Sequence, residues 1–170
     1  MIIREATGDD VSSINDLLNW HSENGFATFG EAKTVEQRLQ WFQQFGSPEK
    51  QILVAQNQDQ IIGLTCSFAY RGGGVFSQTL ETSLYTHHSW NGKGIGSLLY
   101  QELFQRLQKT QTHRVLVGIA LPNEASVAIH KKFGFEEIGI FDEYAFYKGQ
   151  YRSSLWMQKK MIPNSKGSLC

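Results

Sequence analysis

Between Thr79 and Thr110 the hydrophobic period of the chain switches from that of a strand to that of a helix across one glycine-rich turn. Thr79 to Thr86 alternates, whereas Ile95, Leu98, Leu99, Leu103, Phe104 and Leu107 recur at helical spacing within Gly94 to Thr110. A central strand that feeds a long amphipathic helix needs neighbouring strands for its edges and a layer for the helix's apolar stripe, so the chain must build helices on a sheet.

The remaining segments supply those parts. Met1 to Arg4 reads as a short strand, and Asp9 is placed to cap a helix carrying Val11, Ile14, Leu17 and Leu18. Ser22 to Lys33, with Gly25 and Gly30 around Phe26 and Phe29, has no period and reads as a loop. Thr34 and Gln37 form a capping box for a helix with Val35, Leu39, Trp41, Phe42 and Phe45, stopped by Gly46 and Pro48. Ile52 to Ala55 and Ile61 to Tyr70 read as a hairpin of buried strands, followed by the loop Arg71-Gly72-Gly73-Gly74. Val115 to Ala120 is a strand, and Asn123 caps a helix through Phe133 that Gly134 stops. Glu137 to Phe146 and Tyr151 to Met161 are strands around a Lys148-Gly149 turn. The order β-α-α-β-β-β-α-β-α-β-β predicts an α+β domain around one mixed sheet of about seven strands.

A chain of 170 residues has room for one domain with a full core, here 1–162, followed by a polar tail, 163–170. Lys plus Arg and Asp plus Glu both number 16, so no overall field steers the protein onto nucleic acid or an anionic membrane. No apolar run approaches the roughly 20 residues of a spanning helix, and the N-terminus lacks a signal-type core. A cytoplasmic location and a small-molecule partner are expected. The two cysteines, Cys66 in an apolar run and Cys170 at the end, build neither a disulfide framework nor a metal site. Cys66 reads as a core residue, and no metal is expected.

The turn Asn91-Gly92-Lys93-Gly94-Ile95-Gly96-Ser97 lies where free N–H groups and the positive end of a helix can receive an anion such as a pyrophosphate. Gly92, Gly94 and Gly96 let the backbone approach phosphate oxygens, and Lys93 adds charge. Glycine spacing alone fits equally a helix start that is merely glycine-rich. The terminal Gly-Lys-Ser/Thr of a Walker loop is absent, and the turn falls too late for an opening dinucleotide fingerprint.

The segments Glu81-Thr82-Ser83-Leu84-Tyr85-Thr86, Gly92-Lys93-Gly94-Ile95-Gly96, Leu121-Pro122-Asn123-Glu124-Ala125-Ser126 and His130-Lys131-Lys132-Phe133-Gly134-Phe135 resemble the GCN5-related N-acetyltransferase superfamily. The likeness is nearest to its phosphinothricin and methionine sulfoximine acetyltransferase branch. It implies two splayed central strands, with acetyl-CoA pantetheine held by Leu84, Tyr85 and Thr86 and pyrophosphate held by Asn91, Gly92, Lys93, Gly94, Ile95, Gly96 and Ser97. Asn123 and Lys132 would add cofactor contacts. Asn91 stands where the motif usually has Arg or Gln.

Acetylation of an amine needs a base, because an alkylammonium has a pKa of about 10. Glu81, inside an apolar alternating strand, has its pKa raised by burial into a useful range, unless it faces solvent. The resemblance makes Glu81 the general base and gives His130 a part in proton transfer, although a lone helical His more often sits at a surface or cap. His87 and His88 read as solvated loop residues. Tyr85, Tyr144 and Tyr147 remain equal candidates to protonate the departing thiolate.

In this branch the loop before the catalytic strand receives the substrate carboxylate. Arg71 matches its first arginine, Gly73 replaces the second, and Phe76 replaces a tyrosine, so one anionic contact is lost. The resemblance therefore implies an amino-acid site at Arg71, Gly74, Val75 and Phe76, and a homodimer; the loop aromatics Phe26 and Phe29 either add an apolar wall to that site, favouring a more apolar amino acid, or pack over the core. The aromatics around residues 141 to 156 can supply an interface or simply pack between strands. Peptide, protein or polyamine acetylation and a non-enzymatic acyl-CoA-binding module are the competing functions.

Overall fold

The computed structural model describes residues 1–25 and 29–162. Along the chain lie β1 (Ile2–Glu5), α1 (Val11–Asn24), α2 (Val35–Phe42), β2 (Ile52–Asn57), β3 (Gln60–Ala69), β4 (Thr79–Thr86), α3 (Ile95–Leu107), β5 (Arg114–Ala120), α4 (Glu124–Lys132), β6 (Glu136–Tyr147) and β7 (Gln150–Lys160). The strands form one sheet in the order β1-β2-β3-β4-β5-β7-β6. Its only parallel pair among the described residues is β4 with β5.

Strand alternation divides the apolar residues between two layers. Leu53, Ile62, Leu80, Val115, Val117, Leu155 and Met157 pack under α3 with Leu99, Tyr100, Leu103 and Leu107. Val54, Leu64 and Cys66 pack on the other face with Ile14, Leu17 and Leu18 of α1. Fully burying each Leu or Ile contributes roughly 1.5–3 kcal/mol, so this division fixes which face of each strand meets which helix; on β3 a bulge at Ile62, between the pairs Gln56–Ile61 and Ala55–Gly63, shifts the alternation so that Ile62 and Leu64 face opposite layers. Cys66 is a core residue, and burial pushes its thiol up to about 12. Close packing of α3 depends on Gly63: a Cβ there would lie 3.1 Å from Ile95 Cγ2 and from the Tyr85 carbonyl oxygen.

Asp9 does not cap α1. A 3-10 turn, Gly8–Asp10, precedes the helix, and Thr7 stands at its N-cap. The Asp10 carboxylate accepts from the Thr7 N–H at 2.7 Å and from both terminal nitrogens of Arg4 at 2.7 Å. These bonds tie β1 to the start of α1 and hold the Asp10 carboxyl down at about 2. The predicted loop from Ser22 also begins late. Ser22 is buried and donates to the Leu18 carbonyl, so α1 continues to Asn24. The Thr34 and Gln37 capping box forms as expected, but α2 stops at Phe42 and Phe45 reaches the core from beyond it. Phe26, Cys170 and the tail lie outside the described residues.

β4 and β5 pair only at Thr79 with Arg114, Leu80 with Val115 and Glu81 with Leu116. Beyond Glu81, β4 stays paired to β3 as far as Thr86, and β5 stays paired to β7 as far as Ala120. The two central strands therefore part, leaving a gap between residues 82–86 and 117–120. No described helix is long and apolar enough to cross a membrane.

Candidate active site

The gap opens into a cavity of about 600 Å³ that runs to the start of α3. Two glycines shape that end. Gly92 and Gly94 have φ of +74° and +80°, a region costly for side chains, and a Cβ on either meets nothing within 4 Å. Gly94 is the N-cap of α3, so the N–H groups of Ile95 and Gly96 precede any intrahelical acceptor and join the positive end of a 13-residue helix. Lys132 of α4 reaches the same place, its Nζ donating to Ser97 Oγ at 3.1 Å. Thr86 Oγ1 donates to Asn91 Oδ1 at 2.7 Å, tying the end of β4 to the turn. An open backbone cradle, a helix N-terminus and a cation together fit a phosphate or pyrophosphate group.

Leu84, Tyr85, Thr86, Asn91, Gly92, Gly94, Ile95, Gly96, Ser97, Asn123, His130 and Lys132 all line this cavity. Lys93 does not; its ammonium sits 4.7 Å from the ring centroid of Trp90, which does. Asn123 also caps α4, accepting from the Ser126 N–H at 3.1 Å just after a cis Leu121–Pro122 bond.

His130 is 2% exposed. Its Nδ1 lies 2.6 Å from the Ser126 carbonyl, which can only accept, so Nδ1 carries the proton. Nε2 is left to accept from the Tyr100 hydroxyl at 2.6 Å. Burial pushes the imidazole pKa below its usual value, against the Ser126 carbonyl, and the neutral ring has both nitrogens engaged.

Glu81 stands at the last paired position before β4 and β5 part, at the closed end of the gap, and is not among the residues that line the cavity, which on β4 begin at Thr82. It is half-buried, and burial raises its carboxyl pKa. Among the described residues no hydrogen bond or ion pair engages that carboxylate. Leu80 belongs to the core under α3 and Tyr85 packs against the opposite layer, so alternation puts Glu81, Ser83 and Tyr85 on the α1 face. Glu81 and His130 thus lie on opposite sides of the sheet.

The structure does not bring Arg71, Gly74, Val75 or Phe76 into the cavity. They occupy two 3-10 turns between β3 and β4, where Arg71 takes φ +44° and lays its guanidinium 5.2 Å from the Tyr70 ring centroid. Val75 is 95% exposed. Phe29 instead packs on Tyr144 and Tyr147, with centroids 6.1 and 5.9 Å away. The Tyr147 hydroxyl faces the Ser22 and Gly30 carbonyls at 2.9 and 3.0 Å, clasping the β6–β7 hairpin to the segment after α1. Tyr85 is the one of the three candidate tyrosines that lines the cavity.

His21 of α1 is a lining residue that the sequence did not single out. Its Nε2 donates to the Thr86 carbonyl at 2.9 Å, and burial, followed by the charges of His88 and His87, outweighs that bond to lower its pKa. It lies in the last turns of α1, a polar stretch with no motif that would mark it as a site residue.

The profile of the acetyltransferase (GNAT) family matches residues 14–135. The chain is 31% identical over 163 residues to a phosphinothricin N-acetyltransferase of Streptomyces coelicolor, covering 94% of this chain and 95% of that one. It is 26% identical over 175 residues to an L-methionine sulfoximine/L-methionine sulfone acetyltransferase of Salmonella typhimurium, covering both in full, 100% and 100%. In fold it is similar to the crystal structure of a GNAT superfamily phosphinothricin acetyltransferase from Sinorhizobium meliloti in complex with acetyl-CoA, with a TM-score of 0.89 at 23% identity over 98% of this chain and 95% of that one. The matched span contains the parting strands, the glycine turn and α4, and on this ground the chain belongs to the acetyltransferase (GNAT) family.

Proposed function

We propose that this N-acetyltransferase transfers acetyl from acetyl-CoA to the amino group of a small amino acid or analogue, with Glu81 as general base. The observation that carries this reading is the position of Glu81, a half-buried carboxylate with no described partner where the central strands separate. Relatives named for phosphinothricin and methionine sulfone support the substrate class.

The edge of β4 beyond Glu81 is free to meet an extended ligand, as an added strand would. The turn from Asn91 to Ser97, with Lys132, holds the pyrophosphate. Acetyl-CoA, when bound, supplies the acetyl group as a thioester. Glu81 removes one proton from the acceptor ammonium, directly or through one water; transfer then forms the C–N bond and breaks the C–S bond, with a proton returned to the departing sulfur. His130, with both nitrogens occupied, acts by holding α4 against α3 through Tyr100.

The test is thiol release from acetyl-CoA by the purified protein with methionine, methionine sulfoximine, methionine sulfone, phosphinothricin, a peptide and a polyamine. Turnover confined to the amino acids supports the reading; turnover of only the peptide or polyamine, or of none, refutes it.

The edge strand β6 suits pairing of two copies. It leaves Ile138, Ile140, Phe141 and Phe146 more than half exposed, a concentration of apolar surface on an open sheet edge. The wild-type chain is expected to run as a dimer in light scattering, and Ile140→Asp combined with Phe146→Asp is expected to halve the mass. A monomeric wild type at micromolar concentration would sink this interface.

A further inference from the structure

On β7, Leu155 and Met157 belong to the core under α3, so Trp156 between them faces the side of the sheet that carries Glu81. Trp156 lies opposite Gly118 of β5 and Gly139 of β6. Its indole covers only the first. A Cβ built on Gly118 would lie 3.1 Å from Trp156 Cε2 and Cζ2 and 3.5 Å from Nε1, whereas one on Gly139 meets nothing within 4 Å. The ring therefore leans toward β5 and the gap, and Gly118, which it overlies, lines the cavity. Leu116, two residues earlier, pairs with Glu81, so the indole lies one pleat repeat, roughly 7 Å, toward the open end of the gap.

Trp156 Nε1 is buried and has no hydrogen-bond partner among the described residues. A buried indole N–H usually finds an acceptor, and leaving one unpaired is costly; Trp156 is not itself a lining residue, but its orphaned donor is packed over Gly118 of the cavity wall, where a ligand atom that reaches past the glycine can meet it. Aromatic rings extend the same wall: Phe141 lies 5.9 Å from Trp156 and 5.5 Å from Tyr144, whose hydroxyl donates to Ser154 Oγ.

We propose that Trp156 sets acceptor specificity, its indole N–H donating a hydrogen bond to an oxygen of the amino acid whose amine faces Glu81. This inference rests on the amino-acid reading above. The oxygen belongs either to the carboxylate or to an oxidised side chain, and the glycine at 118 is what lets the indole approach it.

Trp156→Phe keeps an aromatic ring and removes only the donor. It is expected to raise KM for the best amino-acid acceptor roughly 3- to 10-fold, leaving KM for acetyl-CoA unchanged. Methionine and methionine sulfone separate the sources: an equal loss for both assigns the carboxylate, and a larger loss for the sulfone assigns the side-chain oxygen. Gly118→Ala, which displaces the indole, is expected to raise the same KM, and acceptor binding is expected to change a tryptophan fluorescence signal that Trp156→Phe lacks. A folded Trp156→Phe enzyme with unchanged KM for both acceptors and an unchanged fluorescence response overturns the proposal. Absence of amino-acid turnover in the wild type would instead strike the reading beneath it.

Discussion

Glu81→Gln is expected to lower kcat/KM for the best amine acceptor by roughly 10²- to 10⁴-fold, the usual contribution of general-base catalysis, or about 3–5 kcal/mol of transition-state stabilisation. The amide preserves the shape of the side chain but cannot take a proton. Folding is not expected to suffer. Burial raises the Glu81 pKa in the folded state, so the ionised form weakens the fold once pH rises through that value, and a neutral isostere removes this burden. The pH profile provides a second readout. With Glu81 as the proposed base, activity requires the carboxylate, so kcat/KM is expected to rise with pH along an acid limb above the ordinary glutamate value, and Glu81→Gln is expected to lose that limb. Unchanged melting with a large fall in rate separates a base from a structural residue. Near-wild-type turnover, with the acid limb intact, would remove Glu81 from the mechanism and point to another group in the gap.

The element order was legible because it rests on local signals: period-2 and period-3.6 patterns, the Thr34–Gln37 box, Asn123 as a cap and Gly134 as a stop. The glycine turn was legible for the same reason, since its chemistry is carried by consecutive residues. What sequence could not show depends on groups distant along the chain. Asp9 fits a local cap pattern, yet it is Asp10 that ties down the start of α1, because Arg4, distant in the pattern, takes both of its oxygens. The opening of the gap at Glu81 is a fact of pairing between β4 and β5, two strands separated by the whole of α3. Arg71 resembles a carboxylate receiver in sequence, yet its left-handed backbone carries the guanidinium over Tyr70 and away from the cavity. The direction of the Trp156 indole follows from a glycine on the neighbouring strand, 38 positions earlier.

His130→Ala tests the other carry-over from sequence, and stability is where its largest effect is expected. The substitution leaves the buried Tyr100 hydroxyl without its 2.6 Å acceptor, frees the Ser126 carbonyl and opens a void beside Phe135, whose ring lies 5.1 Å from the imidazole. Lost hydrogen bonds and a partly collapsed cavity together cost about 2–4 kcal/mol, which for a domain of this size lowers Tm by roughly 5–15 °C. Proton linkage supplies a signature that a generic packing defect lacks. Burial lowers the His130 pKa in the folded state, so the unfolded chain binds the proton more tightly. The stability of the neutral ring is complete above the unfolded histidine value near 6.5 and is lost as pH falls through the folded value. Acid unfolding of wild type should therefore steepen below that pH, and His130→Ala should flatten the slope, leaving the share due to His21, whose pKa is also lowered. Measured well below Tm, kcat/KM of the variant is expected to fall less than about 10-fold, since the ring has no free nitrogen for the acceptor. A loss comparable to that of Glu81→Gln, with Tm unchanged, would show that Tyr100 releases the ring during turnover and that His130 itself moves the proton.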